Sequence, residues 1–171
     1  SYAAATGNST HGYFGGGEPG PKSIMDKLTY STDTTAAVPG ANLNSARYAL
    51  GATGNSTHGY FGGGATPVTA TMEKTTYSSD TTAAVPGANL SGNRSQTMAT
   101  GNSTHGYFGG GYTPTVVNTM DKVTYASDTT AAVSGANLNT ARRYGGATGN
   151  STHGYFGGGN VPGVSTSMEK T

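Results

Sequence analysis

Ala99-Thr100-Gly101-Asn102-Ser103-Thr104-His105-Gly106-Tyr107-Phe108-Gly109-Gly110-Gly111 also stands, without a change, at Ala5, Ala52 and Ala147, so the four copies start 47, 47 and 48 residues apart. Self-similarity at such a period marks a repeat architecture, in which each unit buries its apolar face against the next. Two further blocks run in the same order around it. Met120-Asp121-Lys122 is matched by Met25-Asp26-Lys27, Met72-Glu73-Lys74 and Met168-Glu169-Lys170. Next comes Tyr30, Tyr77 or Tyr125, with Asp33, Asp80 or Asp128 three residues later in the run Asp-Thr-Thr-Ala-Ala-Val. A Gly-Ala-Asn-Leu block then leads to Arg47, Arg94 and Arg142. The chain holds three full periods and about two thirds of a fourth.

Composition alone points elsewhere. Leu, Ile, Val and Phe number only 19 of 171 residues, against 29 glycines and 7 prolines, a balance that leans toward disorder or a fibre. A formal net charge of +1 argues against disorder, because chains so poor in large apolar residues stay unfolded mainly when strongly charged. Spread over the repeats, the apolar residues amount to a thin core per unit, supplemented by Tyr, Met and Ala. A single unit is expected to be unstable alone, with stacking as its source of stability.

The same inventory removes several function classes. No window approaches 18 consecutive apolar residues, so no transmembrane helix or membrane insertion is expected, and Ser1-Tyr2-Ala3-Ala4-Ala5 lacks the regions of a signal peptide. The nine Lys and Arg residues are scattered, which speaks against nucleic acid as a partner. The absence of cysteine excludes disulfides, thiolate metal sites and cysteine nucleophiles.

No stretch of ten residues keeps a helical apolar period, and glycine, proline and β-branched residues interrupt the chain at short intervals, so helix is expected nowhere. Each unit reads instead as four short strands divided by turns. In the third unit these are Ser95 to Thr100, His105 to Gly109, Asn118 to Tyr125 and Thr130 to Val133. Met120, Lys122 and Thr124 alternate with Asp121, Val123 and Tyr125, as the two faces of a strand require. The fold expected is all-β, a β-propeller of antiparallel four-stranded repeats about 47 residues long, in one domain over 1–171. Approximate blades are 1–46, 47–93, 94–141 and 142–171, the last incomplete because the chain reaches Thr171 within its third strand.

The order of Arg94, a small-residue strand, Tyr107, the doublet Gly109-Gly110, Tyr125 and Asp128 resembles the kelch repeat. That family implies a propeller. The tryptophan usual on the fourth strand is absent, and Ala-Val stands there, so blade packing is expected to be thinner. The wording Gly-Tyr-Phe-Gly-Gly-Gly and Asp-Thr-Thr-Ala-Ala-Val-Pro-Gly-Ala-Asn-Leu is similar to kelch-like repeat proteins of cyanobacterial and cyanophage genomes. In phages such proteins are assigned to virion surfaces or tail appendages, so the resemblance implies an extracellular or virion-surface location. Some kelch-type propellers are copper oxidases that depend on a cysteine-crosslinked tyrosine; a chain without Cys lacks that route.

No enzyme signal emerges, and neither a catalytic residue nor a cofactor is assigned. No Gly-x-Ser-x-Gly elbow occurs, and no helix is expected after the glycine runs, where a phosphate cradle would need one. The glycines read instead as places of close backbone approach. His11, His58, His105 and His153 occupy equivalent positions, yet each follows a polar turn, where exposure or backbone bonding outweighs a metal site. In the acid-Lys pairs the two side chains point to opposite faces, which suits a ladder from one blade's Lys to the next blade's acid. Asp33, Asp80 and Asp128 read as turn residues whose carboxylates bond nearby backbone N–H groups. Asn8, Asn55, Asn102 and Asn150 open N-x-Ser/Thr sequons, as do Asn89 and Asn93. The four turn-tip sequons are glycan acceptors if the protein is eukaryotic and secreted, and otherwise ordinary turn residues.

The turns after the first and third strands repeat nearly unchanged, whereas the opposite connections vary. The variable ones are Glu18-Pro19-Gly20-Pro21-Lys22, Ala65-Thr66-Pro67-Val68, Tyr112-Thr113-Pro114-Thr115 and Asn160-Val161-Pro162-Gly163, together with Tyr48-Ala49-Leu50, Ser95-Gln96-Thr97 and Arg143-Tyr144-Gly145. Recognition belongs on variable loops over a constant scaffold, which nominates Tyr48, Tyr112, Tyr144 and Arg143 as binding residues. The expected function is a non-enzymatic structural or interaction module of an extracellular assembly, such as a virion appendage or surface filament. Its expected partners are further copies of itself or a larger protein assembly; the alternative is a lectin-like propeller that binds surface glycans.

Overall fold

A computed structural model describes residues 1–161, 163, 164 and 166–171. Residue Pro162, part of the fourth variable connection, lies outside them. Blade 1 contains β1 (Ala4–Gly7), β2 (His11–Gly15), β3 (Met25–Thr29) and β4 (Thr34–Ala37), paired antiparallel in that order. Blade 2 repeats the sheet with β5 (Gly51–Gly54), β6 (His58–Gly62), β7 (Met72–Thr76) and β8 (Thr81–Ala84). Blade 3 has β9 (Met98–Gly101), β10 (His105–Gly109), β11 (Met120–Thr124) and β12 (Thr129–Ala132). Blade 4 is a three-stranded sheet of β13 (Gly146–Gly149), β14 (Gly154–Gly157) and β17 (Met168–Lys170), with a two-stranded ribbon, β15 (Asn160–Val161) and β16 (Gly163–Val164), between the last two. The four-bladed, all-β architecture expected from the repeat is the one observed.

Strand β10 coincides with the span read from sequence, because its turn is closed locally. The Asn102 Oδ1 accepts the N–H groups of Thr104 and His105 at 2.9 Å each, and the same cap recurs at Asn8, Asn55 and Asn150. The expectation of no helix needs one amendment. Single 3-10 turns occur at Pro39–Ala41, Pro86–Ala88 and Ser134–Ala136, each too short for a helical period to register. They aim the asparagine of the Gly-Ala-Asn-Leu block, whose Oδ1 accepts the N–H of Met25, Met72 or Met120 at 2.8–2.9 Å.

Strand register decides which residues share a face. Tyr13 pairs with Lys27 and Phe14 with Asp26, so Tyr and Lys face one neighbouring blade while Phe and the acid face the other. The inner strands β1, β5, β9 and β13 pack successively on one another. Phe61 therefore enters blade 1's side of the first interface with Tyr13, Met25, Leu43 and Leu50, and Phe108 lies with Tyr60, Met72 and Leu90 at the second. Phe156 joins Met98, Met120 and Leu138 at the third.

Glycine at the end of the second strand makes room for that ring. A Cβ on Gly62 would stand 2.9 Å from the Phe108 ring, and one on Gly63, at φ +69°, would meet the Arg94 carbonyl at 2.5 Å. The close-approach reading of the glycine runs thus has a definite partner on each side.

The polar contacts between blades follow a fixed pattern. Tyr13 stacks on Tyr77 with centroids 4.7 Å apart and donates to Asp80 at 2.5 Å, while Lys27 pairs with the other oxygen of Asp80. Tyr60, Tyr125, Lys74 and Asp128 repeat the arrangement at the next interface. The expectation that these aspartates bond their own turn is overturned for Asp80 and Asp128. Their left-handed backbone, φ +50° and +51°, instead accompanies carboxylates that take donors from the preceding blade. The Lys-to-acid ladder exists, but its acid is this turn aspartate. Glu73, Asp121 and Glu169 on the third strands pair with Arg47, Arg94 and Arg142 at 3.1, 2.7 and 2.5 Å.

Candidate binding face at the propeller mouth

The connections that enter the inner strands surround a mouth at one end of the molecule. Tyr2, Ala49, Gln96 and Tyr144 hold equivalent places two residues ahead of β1, β5, β9 and β13, and all four adopt the left-handed conformation, with φ 60°, 55°, 59° and 58°. Only a surrounding structure that over-determines the backbone keeps non-glycine residues there. Here the constraint is a chain of hydrogen bonds that runs from blade to blade. The N–H of Ala49 donates to Tyr2 O at 2.9 Å, that of Gln96 to Ala49 O at 2.6 Å, and that of Tyr144 to Gln96 O at 3.3 Å.

These residues rim a cavity of ≈ 490 Å³, with Ala3, Leu50, Thr97 and Gly145 completing its lining. Of the four sequence-nominated residues, Tyr144 lines the cavity, and Tyr48, Arg143 and Tyr112 lie beside it. Tyr2 lies between Tyr48 and Tyr144, with ring centroids 6.2 and 5.4 Å away. Arg143 lies over Tyr112 at 4.8 Å and over Tyr144 at 5.7 Å, and its Nη1 donates to Gln96 Oε1 at 3.2 Å. Its buried Nε has no hydrogen-bond partner among the described residues. Burial raises the Tyr144 phenol, with Tyr2 adding to the rise and Arg143 opposing it, so the hydroxyl is a neutral donor and acceptor.

Tyr2 and Gln96 were not singled out from sequence as site residues. The signal existed: Tyr2 precedes Ala5 by the same three residues that separate Tyr144 from Ala147. Only the fold shows that such positions converge across blades.

The opposite end carries the repeated turns and their histidines. Each Nδ1 of His11, His58, His105 and His153 lies 2.8–2.9 Å from the hydroxyl of the preceding threonine. Burial, with the charge of Lys74 second, lowers the His58 imidazole against the opposing pull of Asp128. Among the described residues no group of three His, Asp or Glu is gathered as a metal site would need. The sequon asparagines Asn8, Asn55, Asn102 and Asn150 have their Oδ1 atoms engaged in the turn, and Nδ2 of Asn8 and Asn102 donates to Ser56 O and Ser151 O of the next blade at 3.2 and 3.3 Å.

Fold and site together define a four-bladed β-propeller with an aromatic, arginine-bearing mouth. No protein-family model matches the chain, and no curated protein matches it.

Proposed function

We propose that the protein is a non-enzymatic, kelch-like structural and interaction module of an extracellular assembly, either a virion appendage or a surface filament. The observation that carries this reading is the use of its charged interior. Arg47, Arg94 and Arg142, with Glu73, Asp121 and Glu169, tie blade to blade and present no free acid or base to a substrate. Repeated units whose polar groups serve their neighbours build regular assemblies without a unique reactive pocket. The virion or cell-surface placement rests on the similarity of the repeat wording to cyanophage and cyanobacterial proteins. Electron microscopy of the purified protein tests the reading: regular multimers support it, and dispersed single propellers at all concentrations overturn it.

The aromatic mouth favours one alternative, a lectin-like propeller. Exposed tyrosine faces beside Gln96 and Arg143 offer a sugar both a stacking surface and directed hydrogen bonds. On a glycan array this reading expects saturable binding that Tyr144→Ala and Arg143→Ala abolish; an empty array removes it.

A further inference from the structure

The turn ahead of each second strand holds its histidine in one tautomer. The Thr10 hydroxyl donates its only proton to Asn8 Oδ1 at 2.8 Å and stands 2.9 Å from His11 Nδ1, so Nδ1 carries a proton and donates to the threonine oxygen. Thr57 with His58, and Thr104 with His105, repeat the relay. The other ring nitrogen, Nε2, is then a lone-pair acceptor, and among the described residues it takes no hydrogen bond. Burial, with the charge of Lys74 second and Asp128 opposing, lowers the His58 imidazole, which leaves this acceptor unprotonated at neutral pH.

These imidazoles border grooves between neighbouring blades. Thr10 and His11 of blade 1, with Thr57, His58 and the buried Tyr77 of blade 2, line a groove of ≈ 430 Å³. One period on, Thr57 and His58, with Thr104, His105 and the buried Tyr125, line another of ≈ 470 Å³. The linings correspond position for position, and only Ser78 against Ala126 differs in residue type. Among the described residues, no Lys, Arg, Asp or Glu lines either groove.

We infer that each groove binds one neutral pyranose unit of a glycan, with a sugar hydroxyl donating to a histidine Nε2. The volumes fall in the range of small-molecule sites. A lining without formal charge offers nothing to offset the desolvation of an ionic ligand, whereas hydroxyls and lone pairs satisfy the hydroxyls of a sugar. Equivalent sites at successive interfaces also suit a ligand that is itself a repeat, because a second contact by the same glycan forms at high effective concentration. The grooves lie at the end opposite the mouth, so sugar binding there is independent of Tyr144 and Arg143 and does not rest on the assembly reading.

The test is proton–nitrogen correlation NMR of the imidazoles, with mannose, galactose, glucose and N-acetylglucosamine titrated one at a time. At least one of these sugars is expected to shift the Nε2 signals of His11, His58 and His105 saturably while Nδ1 stays protonated. Sialic acid and inorganic phosphate, both anionic, are expected to leave them unmoved. His58→Phe keeps a ring in both grooves but removes the acceptor they share, and is expected to weaken binding about tenfold. Tyr144→Ala is expected to leave binding unchanged, and circular dichroism checks that both variants are folded. The wild-type titrations decide the matter whether or not His58→Phe folds. Imidazoles that no neutral sugar shifts, imidazoles that only the anions shift, or full binding by folded His58→Phe would each overturn the grooves as sugar sites. Binding that Tyr144→Ala abolishes and His58→Phe spares overturns them too, and supports the lectin-like mouth instead.

Discussion

Arg94 and Asp121 meet at 2.7 Å with both side chains buried, and the pair ties the link that leaves blade 2 to the third strand of blade 3. The guanidinium also donates to Thr119 O at 3.2 Å and Phe108 O at 3.1 Å, and Ser91 N–H donates to the carboxylate at 2.8 Å. Burial lowers the Arg94 pKa and the charge of Asp121 counteracts it. Removing the arginine leaves a buried carboxylate with one backbone donor. Arg94→Met is therefore expected to cost about 3–5 kcal/mol, measured by urea denaturation. Lys74→Met breaks a solvent-facing pair and is expected to cost no more than about 1 kcal/mol. Equal losses in the two variants would refute the assignment of the arginine as the interior tie.

Phe108 and Phe14 occupy the same place in the repeat, and only the first is enclosed. Phe108→Ala empties a packed interface and is expected to lower stability by about 3–5 kcal/mol. Phe14→Ala, assayed at concentrations where the protein is monomeric, is expected to cost about 1 kcal/mol, since half the ring already meets water. The order of the two denaturation midpoints reads out the order of the blades.

Gly62→Ala pushes a methyl toward Met72 Cε at 2.7 Å and the Phe108 ring at 2.9 Å, while Gly92 has none of the described residues within 4 Å of the same position. The first change is expected to cost about 1–3 kcal/mol through overpacking. The second is expected to stay within about 0.5 kcal/mol of the wild type. Thermal melts of the two variants separate glycines that pack from glycines that only turn the chain.

Stability is expected to fall at both ends of the pH scale, for different reasons. Burial works to raise the Asp80 and Asp128 carboxyls, but hydrogen bonds from Lys27 and Tyr13, or Lys74 and Tyr60, outweigh it and hold both below the ordinary value. A depressed folded pKa contributes stability that is present above the unfolded value of about 3.9 and is lost as pH falls through the folded one. Burial pushes Tyr77 and Tyr125 up to about 12. Their contribution is present below the unfolded value of about 10 and disappears as pH rises toward the folded one. In denaturation curves across pH, Asp80→Asn with Asp128→Asn should flatten the acid limb and spare the alkaline one. An unchanged acid limb would sink the assignment.

At the mouth, Tyr144→Ala removes an exposed ring and its contacts to Tyr2 and Arg143. Its expected cost in stability is about 1 kcal/mol or less, because no core is opened. A larger loss by calorimetry would mean that the aromatic cluster holds the blades together, not that it is free to meet a ligand.

The repeat period, the antiparallel strands and the turn chemistry were all legible in the amino-acid order, because each depends on residues within one unit. The Asn102 turn and the Tyr107-Phe108 alternation are local facts of that kind. Tertiary structure alone decided the roles of residues whose partners lie in another blade. Asp80 looked like a turn aspartate and proved to receive Lys27 and Tyr13 from 53 and 67 positions away. Tyr2 looked like an unremarkable second residue and proved to line the mouth with Tyr144. Identical segments also became unlike: the same Phe is buried in blades 2, 3 and 4 and half exposed in blade 1, since burial depends on what stands beside a sheet. A repeated sequence specifies the face of each unit, and position in the assembled series determines whether that face is covered.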